Sequence, residues 1–169
     1  MANRGRKLVA AGLLAMPAFL TGCEGYHPVL TPIENAANHY NLSELGMLGL
    51  ASCESGLDPN ANRNSRKSYK SLYQQGIQYW GGRVARYNRL NPNAQVSTDI
   101  YDPTATSEVS AEMIASGGLV RNWECESKYR CYSNPYGAHC NTAIWQSALK
   151  NSGRIVVGND IVTVQVSEM

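Results

Sequence analysis

One glutamate in this chain occupies a position suited to acid–base chemistry. Glu54 follows an apolar segment, residues 42–50, and precedes a loop that contains glycine and proline. A carboxyl group at such a junction is half-buried by its helix and still faces a cleft, and this environment raises the pKa because it disfavours the charged form. A general acid that works near neutral pH needs such a pKa. The simpler interpretation is a surface glutamate at a helix end.

A second carboxylate lies four residues further on. Asp58 would supply the base or nucleophile of a two-carboxylate mechanism if it faced the same cleft as Glu54. Its context, Asp-Pro-Asn, is also typical of a turn. We therefore expect Asp58 to be at most a secondary contact.

The cysteines suggest how the segment around Glu54 is held. Apart from Cys23, the chain has four: Cys53, Cys125, Cys131 and Cys140. Four cysteines allow three pairings, and we favour Cys53–Cys125 with Cys131–Cys140. The first bond would close a loop of about 70 residues, worth on the order of 4 kcal/mol in the chain-entropy model. Zinc is the alternative, since His139 adjoins Cys140, but no C-x-x-C spacing accompanies it, so no metal or other cofactor is expected.

The N-terminal segment predicts export. Three basic residues precede a short apolar run, residues 8–20, and small residues then stand directly before Cys23. This pattern resembles the lipobox of bacterial lipoproteins, which implies cleavage before Cys23, lipidation of its thiol and a membrane tether facing the cell wall. An ordinary secretory signal is the alternative.

Charge argues against a nucleic-acid partner. The chain has 15 basic and 13 acidic residues. Residues 1–22 carry three of the basic residues and no acidic one, so 12 basic residues remain against 13 acidic in the exported part. A nucleic-acid surface needs a concentrated positive patch, and none is indicated.

The remaining pattern is mainly helical. A short helix is expected over residues 32–39, and a second is capped by Asn41 with Glu44 as its capping-box partner. Residues 71–90 have apolar spacing close to helical, interrupted at Gly81-Gly82. A further helix begins at Asp102-Pro103 and ends at Gly117-Gly118.

The C-terminal part differs in pattern from the rest. Asn141 is expected to cap a helix through Ala148. Two β-branched runs, residues 155–157 and 161–166, flank Gly-Asn-Asp, which predicts a β-hairpin or a strand pair.

A family resemblance rests on three motifs. Residues 53–61, Cys-Glu-Ser-Gly-Leu-Asp-Pro-Asn-Ala, resemble the signature of lysozyme-like lytic transglycosylases, and the leading cysteine is typical of their resuscitation-promoting-factor-like, actinobacterial branch. In that branch the cysteine pairs with one that follows a tryptophan, as in Trp123-Glu124-Cys125. Residues 71–74, Ser-Leu-Tyr-Gln, are similar to the stretch that lines the family's sugar cleft, with Ser71 in place of a glycine. The resemblance covers residues 36–126.

The resemblance implies a fold and a domain plan. The expected fold class is α+β, mainly α: a disulfide-stapled, lysozyme-like domain with a catalytic glutamate at a helix end, plus a C-terminal extension with a β-hairpin. The expected divisions are a signal peptide (1–22), a tether (23–35), the lysozyme-like domain (36–132) and an extension of unassigned role (133–169).

The resemblance also implies an activity. Glu54 would cleave the bond between N-acetylmuramic acid and N-acetylglucosamine in peptidoglycan, first as acid and then as base, and leave a 1,6-anhydro ring. Gln74, Tyr73, Ser71 and Tyr87 would contact the sugar, with Asp58 nearby, while Trp80 is expected in the core. The protein would be a monomer whose partners are glycan strands and, through the lipid, a membrane. A lysozyme-type hydrolase and a non-catalytic wall-binding lipoprotein are the alternatives.

Overall fold

The structure, a computed structural model, describes residues 27–118 and 122–164, which form helices and short strands. The helices in this part of the chain are α1 (Leu30–His39), α2 (Glu44–Ser55), α3 (Ile77–Leu90), α4 (Pro103–Ala115), α5 (Glu124–Tyr129) and α6 (Thr142–Asn151). The strands are β1 (Tyr69–Lys70), β2 (Gln75–Gly76), β3 (Arg154–Val157) and β4 (Asp160–Thr163), paired antiparallel as β1–β2 and β3–β4. The expected mixture of helix and short strands, with helix dominant, is confirmed.

Helix α2, which carries Glu54, is the central element of the fold. Every residue from Leu45 to Ser52 is buried, and α2 contacts α1, α5, α6 and β4. A helix that is apolar on all sides can be stable only when neighbours cover it on all sides. Its position therefore depends on the whole fold.

Two glycines let the chain approach α2 closely. A Cβ atom on Gly49 would lie 2.4 Å from the carbonyl oxygen of Cys131 and 2.7 Å from the Cβ of Pro135. A Cβ atom on Gly46 would lie 2.8 Å from the carbonyl oxygen of Tyr132. Residues 131–135 therefore pack directly against the surface of α2.

The start of α2 differs from the prediction. Ser43, not Asn41, is the N-cap, and its Oγ accepts a hydrogen bond from the Gly46 N–H at 3.0 Å. Glu44 is then the first helical residue and cannot close a capping box. Asn41 and Ser43 are both residue types that cap helices. Asn41 instead adopts a φ of 52° in the turn before α2, and the helix starts after Ser43.

Helix α3 is shorter at its start than predicted and is not interrupted. Residues 71–74 form a turn between β1 and β2, and the helix begins at Ile77. Gly81 and Gly82 continue the helix, because burial of Trp80, Val84 and Tyr87 on its other face stabilises it.

Helix α4 agrees with the prediction. Asp102 caps it by accepting hydrogen bonds from Thr104 N–H at 2.9 Å and Ala105 N–H at 3.4 Å, and Pro103 follows. The helix ends at Ala115, just before Gly117 adopts a φ of 81°. It packs against α1 and α3.

The predicted C-terminal hairpin is confirmed. Strands β3 and β4 are joined by the two-residue loop Gly158-Asn159, and Val156 pairs with Ile161. Both of these side chains pack against the core. Arg154 fixes the hairpin to the domain through ion pairs with Glu34 at 2.9 Å and Glu44 at 3.8 Å.

The packing moves both ends of the predicted lysozyme-like domain. Val29, Leu30 and Ile33 are buried in the main core, so a tether from residue 23 reaches no further than about residue 28. Trp145 and Leu149 belong to the same core, and residues 133–164 are therefore part of the domain rather than an extension. The signal peptide and Cys23 lie outside the described residues. In the described residues, no helix combines the length and apolarity that crossing a membrane requires.

A tightly packed glycine, Gly49, and an open one, Gly81, give a first prediction. Gly49→Ala should lower the free energy of unfolding by about 3 kcal/mol, because its methyl group must displace backbone. Gly81→Ala, where a Cβ meets nothing within 4 Å, should raise it by up to about 1 kcal/mol through helix propensity. Urea unfolding of both variants beside the wild type measures this. Equal effects at the two positions would contradict the packing of residues 131–135 on α2.

Candidate active site

Glu54 lies in the last turn of α2, where the chain leaves the helix. The helix is capped by Gly56, whose φ is 67° and whose N–H donates to the Ser52 carbonyl oxygen. The Glu54 side chain is half-buried, and its Oε1 accepts a hydrogen bond from the Cys125 N–H at 3.2 Å. That N–H belongs to the first turn of α5 and has no partner within its helix. The start of α5 thus orients the carboxyl group.

The disulfide Cys53–Cys125 holds these two elements together. Its sulfur atoms are 2.05 Å apart and its Cα atoms 6.0 Å apart. Since Cys53 precedes Glu54 and Cys125 donates to it, the covalent bond and the hydrogen bond connect the same two segments. The second disulfide is Cys131–Cys140, so the favoured pairing is confirmed.

The surroundings of Glu54 raise the pKa of its carboxyl group to about 7. Burial is the main cause, because it removes water from the charged form. The Cys125 N–H acts in the opposite direction and lowers the pKa, while the nearby charge of Glu124 raises it further. Glu54 therefore has the proton affinity expected from its position at the end of a buried helix.

A second contact fixes the end of α2 from the other side. Asn141 does not cap α6 with its side chain as predicted; its Nδ2 donates to the Ser52 carbonyl oxygen at 2.9 Å. The Ser52 hydroxyl donates in return to the Asn141 carbonyl oxygen at 3.1 Å. Helix α6 thereby holds the turn that carries Glu54.

Asp58 has the role of a turn residue. Its side chain is exposed, and its Oδ1 accepts a hydrogen bond from the Asn60 N–H at 2.8 Å. This is the local turn that the Asp-Pro-Asn sequence indicates.

Gln74 is half-buried and belongs to a polar network. Its Nε2 donates to the Ser71 carbonyl oxygen at 2.8 Å, and its Oε1 accepts from Asn62. Lys70 in the same segment is buried and donates from Nζ to the carbonyl oxygens of Asn62 and Ser65. The Lys70 ammonium group therefore stabilises the neighbouring loop, residues 62–65.

Three residues predicted to contact a sugar are buried instead. Tyr73 is fully buried, and its hydroxyl donates to the Met47 carbonyl oxygen at 3.3 Å. Tyr87 is 1% exposed, and its hydroxyl donates to Glu108 at 2.8 Å. Ser71 is also buried; its φ of 63° is the conformation that glycine adopts easily. These side chains therefore lie in the core and are not accessible from the surface. Trp80 is also in the core, as expected.

Tyr73 also links the core to the start of α5. Its carbonyl oxygen accepts a hydrogen bond from Trp123 Nε1 at 2.9 Å, and the two rings meet edge to face. Trp123 is the residue directly before α5. The 71–74 turn therefore fixes the start of the helix whose N–H binds Glu54.

Sequence reasoning missed Glu124 as a neighbour of Glu54. The signal was present: if Cys53 bonds to Cys125, the residues beside those cysteines must lie close together. Sequence reasoning also missed two adjoining cavities of about 310 and 490 Å³. Arg83, Arg86 and Asn122 line both of them. Their lining includes none of the predicted site residues.

The part of the chain that the structure describes contains no set of side chains arranged as metal ligands. No group of three or more His, Cys, Asp or Glu side chains there could hold an ion. The disulfide Cys131–Cys140 uses the thiol that a zinc site beside His139 would need.

Comparison of the chain with models of protein families, with curated protein sequences and with solved structures found no significant match.

The raised pKa of Glu54 predicts how stability changes with pH. The folded state holds the proton more tightly than an ordinary glutamate does, so ionisation between pH 4.5 and about 7 costs folding free energy. Glu54→Gln removes that cost and keeps an oxygen for the Cys125 N–H. The variant should match the wild type at about pH 4, below the unfolded-state pKa, and exceed its stability at pH 8 by up to about 3 kcal/mol. Urea unfolding at both pH values measures this, and a pH-independent difference would contradict it.

Proposed function

We propose that this protein is a peptidoglycan lytic transglycosylase with a lysozyme-like fold, in which Glu54 acts as acid and then as base. The observation that carries the proposal is the half-buried Glu54 carboxyl group at the end of α2, with its pKa raised to about 7. The motifs at residues 53–61 and 71–74 supply the substrate class. No cofactor takes part.

The reaction needs only this one protein group. Protonated Glu54 gives its proton to the glycosidic oxygen between N-acetylmuramic acid and N-acetylglucosamine, and the bond to C1 breaks with its electron pair on that oxygen. The Glu54 carboxylate then takes the proton of the muramyl C6 hydroxyl, whose oxygen bonds to C1 and closes the 1,6-anhydro ring. Glu54 ends protonated, as it began, and no water is consumed. A pKa near the working pH suits both proton transfers.

The other carboxylates nearby favour a mechanism with one acid over hydrolysis with two. Asp58 is exposed and accepts a hydrogen bond within its own turn. Glu124 is exposed and forms an ion pair with Lys128 on the same helix. Two-carboxylate glycosidases place the second group on the opposite side of the scissile bond. Glu54 has no partner of that kind among these residues.

Substrate contacts are best assigned to polar groups that remain accessible. Gln74 keeps this role, because it is half-buried and its amide, bonded once at Nε2 to Ser71 and once at Oε1 by Asn62, can still donate and accept a further hydrogen bond. We assign Tyr73 and Tyr87 to positioning instead.

The lipid anchor completes the proposal. With Cys23 lipidated, about six residues separate the membrane surface from the packed domain at Val29. A fully extended chain of that length reaches at most about 20 Å. The protein would act as a monomer on glycan strands close to the membrane.

The decisive experiment uses the full-length protein in mild detergent on isolated peptidoglycan. Wild type should release 1,6-anhydro-muropeptides by mass spectrometry, and Glu54→Gln should lose at least about 100-fold in rate. Asp58→Asn, a matched carboxyl-to-amide change four residues away, should retain activity. Reducing ends instead of anhydro ends would indicate the hydrolase, and wild-type activity in Glu54→Gln would overturn the assignment.

The pH dependence of the cleavage rate tests the raised pKa of Glu54 separately. Loss of the Glu54 proton should reduce the rate as pH rises through about 7. Glu124→Gln should move this decline to lower pH, because removing the Glu124 charge lowers the pKa of Glu54. Asp160→Asn, the same change of charge on the exposed hairpin, is the control and should leave the decline in place. Equal profiles for all three proteins would contradict the effect of the Glu124 charge on the titrating group.

A further inference from the structure

Arg83 has an unusual environment for a charged residue. It is half-buried on α3, and among the described residues no Asp or Glu forms an ion pair with it. A buried guanidinium usually has a carboxylate partner, because the loss of water is costly. Here burial lowers the pKa of Arg83 from its usual value without an anion to compensate.

Neutral groups hold this guanidinium in place. One amino group donates to Gln75 Oε1 and the other to Asn122 Oδ1 at 3.2 Å. Gln75 is 1% exposed, and its Nε2 donates in turn to Ser110 Oγ at 2.7 Å. The Tyr79 ring lies 5.5 Å from the guanidinium carbon. The charge is therefore fixed in position and not neutralised.

This charge faces the two adjoining cavities. Both are lined by Arg83, Arg86 and Asn122; the smaller adds Glu112 and the larger adds Gly82. Arg86 is already paired with Glu112 at 2.8 Å. Among the described lining residues, the Arg83 charge therefore has no carboxylate partner.

We propose that the cavity at Arg83 binds a carboxylate of the peptide that peptidoglycan glycan strands carry. A guanidinium held by two of its edges still presents N–H donors with the planar geometry of a carboxylate. In the described lining, a single unpaired positive charge suits a monoanion, and the buried Glu112 carboxylate in the smaller cavity disfavours a phosphate dianion. The cavities have room for an amino-acid residue beside the charged group.

The cavity is connected to the proposed catalytic group through residues 122–125. Asn122 is three residues from Cys125, whose N–H binds Glu54, so their Cα atoms are at most about 11 Å apart. Gln75 directly follows Gln74, the proposed sugar contact. The substrate assignment rests on the proposed function, whereas the carboxylate chemistry of the cavity does not.

Binding can be measured apart from cleavage in Glu54→Gln protein, full-length in detergent, by titration calorimetry. The probes are an acidic stem tetrapeptide, the same peptide with all carboxylates amidated, and a chito-oligosaccharide that lacks carboxylates. Arg83→Gln should weaken binding of the acidic peptide by about 10- to 100-fold, the usual effect of losing a charge-assisted hydrogen bond. It should leave the chito-oligosaccharide unaffected. Arg89→Gln, an exposed charge on the same helix, is the matched control.

A second pair of variants avoids disturbing the buried network. A Cβ at either Gly81 or Gly82 meets nothing within 4 Å, but only Gly82 lines the cavity. Gly82→Glu should supply an internal carboxylate and weaken acidic-peptide binding at least 10-fold. Gly81→Glu, with the same change of charge, should leave it unchanged.

The outcomes separate the two proposals. Equal binding of the acidic and amidated peptides, or equal affinities for Gly81→Glu and Gly82→Glu, overturns the carboxylate site. Inorganic phosphate that displaces the peptide at equimolar concentration also overturns it, because it shows a general anion site. Arg83-dependent binding in a protein that does not cleave the wall supports the cavity and rejects the transglycosylase.

Discussion

The contact between the end of α2 and the start of α5 is the constraint on which the site depends. The Cys53–Cys125 disulfide and the hydrogen bond from Cys125 N–H to Glu54 join the same two segments, one covalently and one by direct orientation of the carboxyl group. The disulfide adds a covalent connection to the hydrogen bond from Trp123 to the Tyr73 carbonyl oxygen, which also holds this six-residue helix in place. Burial then raises the proton affinity of Glu54, while the N–H limits how far it rises.

Packing in the core holds the contact between α2 and α5 from several sides. Helix α2 is covered on every side, and its glycines admit the backbone of residues 131–135 at distances that a methyl group would prevent. Tyr73, fully buried, connects α2 to Trp123 and so to α5. Helix α6 fixes the last turn through Asn141. A half-buried acid therefore stands at the edge of a well-packed unit, which is the arrangement that lets it remain protonated near neutral pH.

Much of the fold followed from local patterns, and the predictions failed where tertiary packing outweighed those patterns. Asp102-Pro103 and Gly-Asn in the hairpin predicted their elements correctly because capping and tight turns depend on a few adjacent residues. The interruption expected at Gly81-Gly82 was wrong, since burial of one helix face outweighs the propensity of two exposed glycines. The domain limits were also wrong, because the family motifs end before residues that complete the same core.

The sequence by itself determined Glu54 at a helix end and the hairpin, because apolar spacing and turn chemistry are local, and it favoured Cys53–Cys125 among the three pairings that four cysteines allow. Only the tertiary structure decided which aromatic side chains are buried. Tyr73 and Tyr87 carry the polar edges that sugar contacts need, but their hydroxyls bind a backbone carbonyl and Glu108 inside the domain. It alone revealed Arg83 at a cavity with no carboxylate partner among the described residues. Burial and charge pairing arise between segments distant in sequence, so no local pattern contains them.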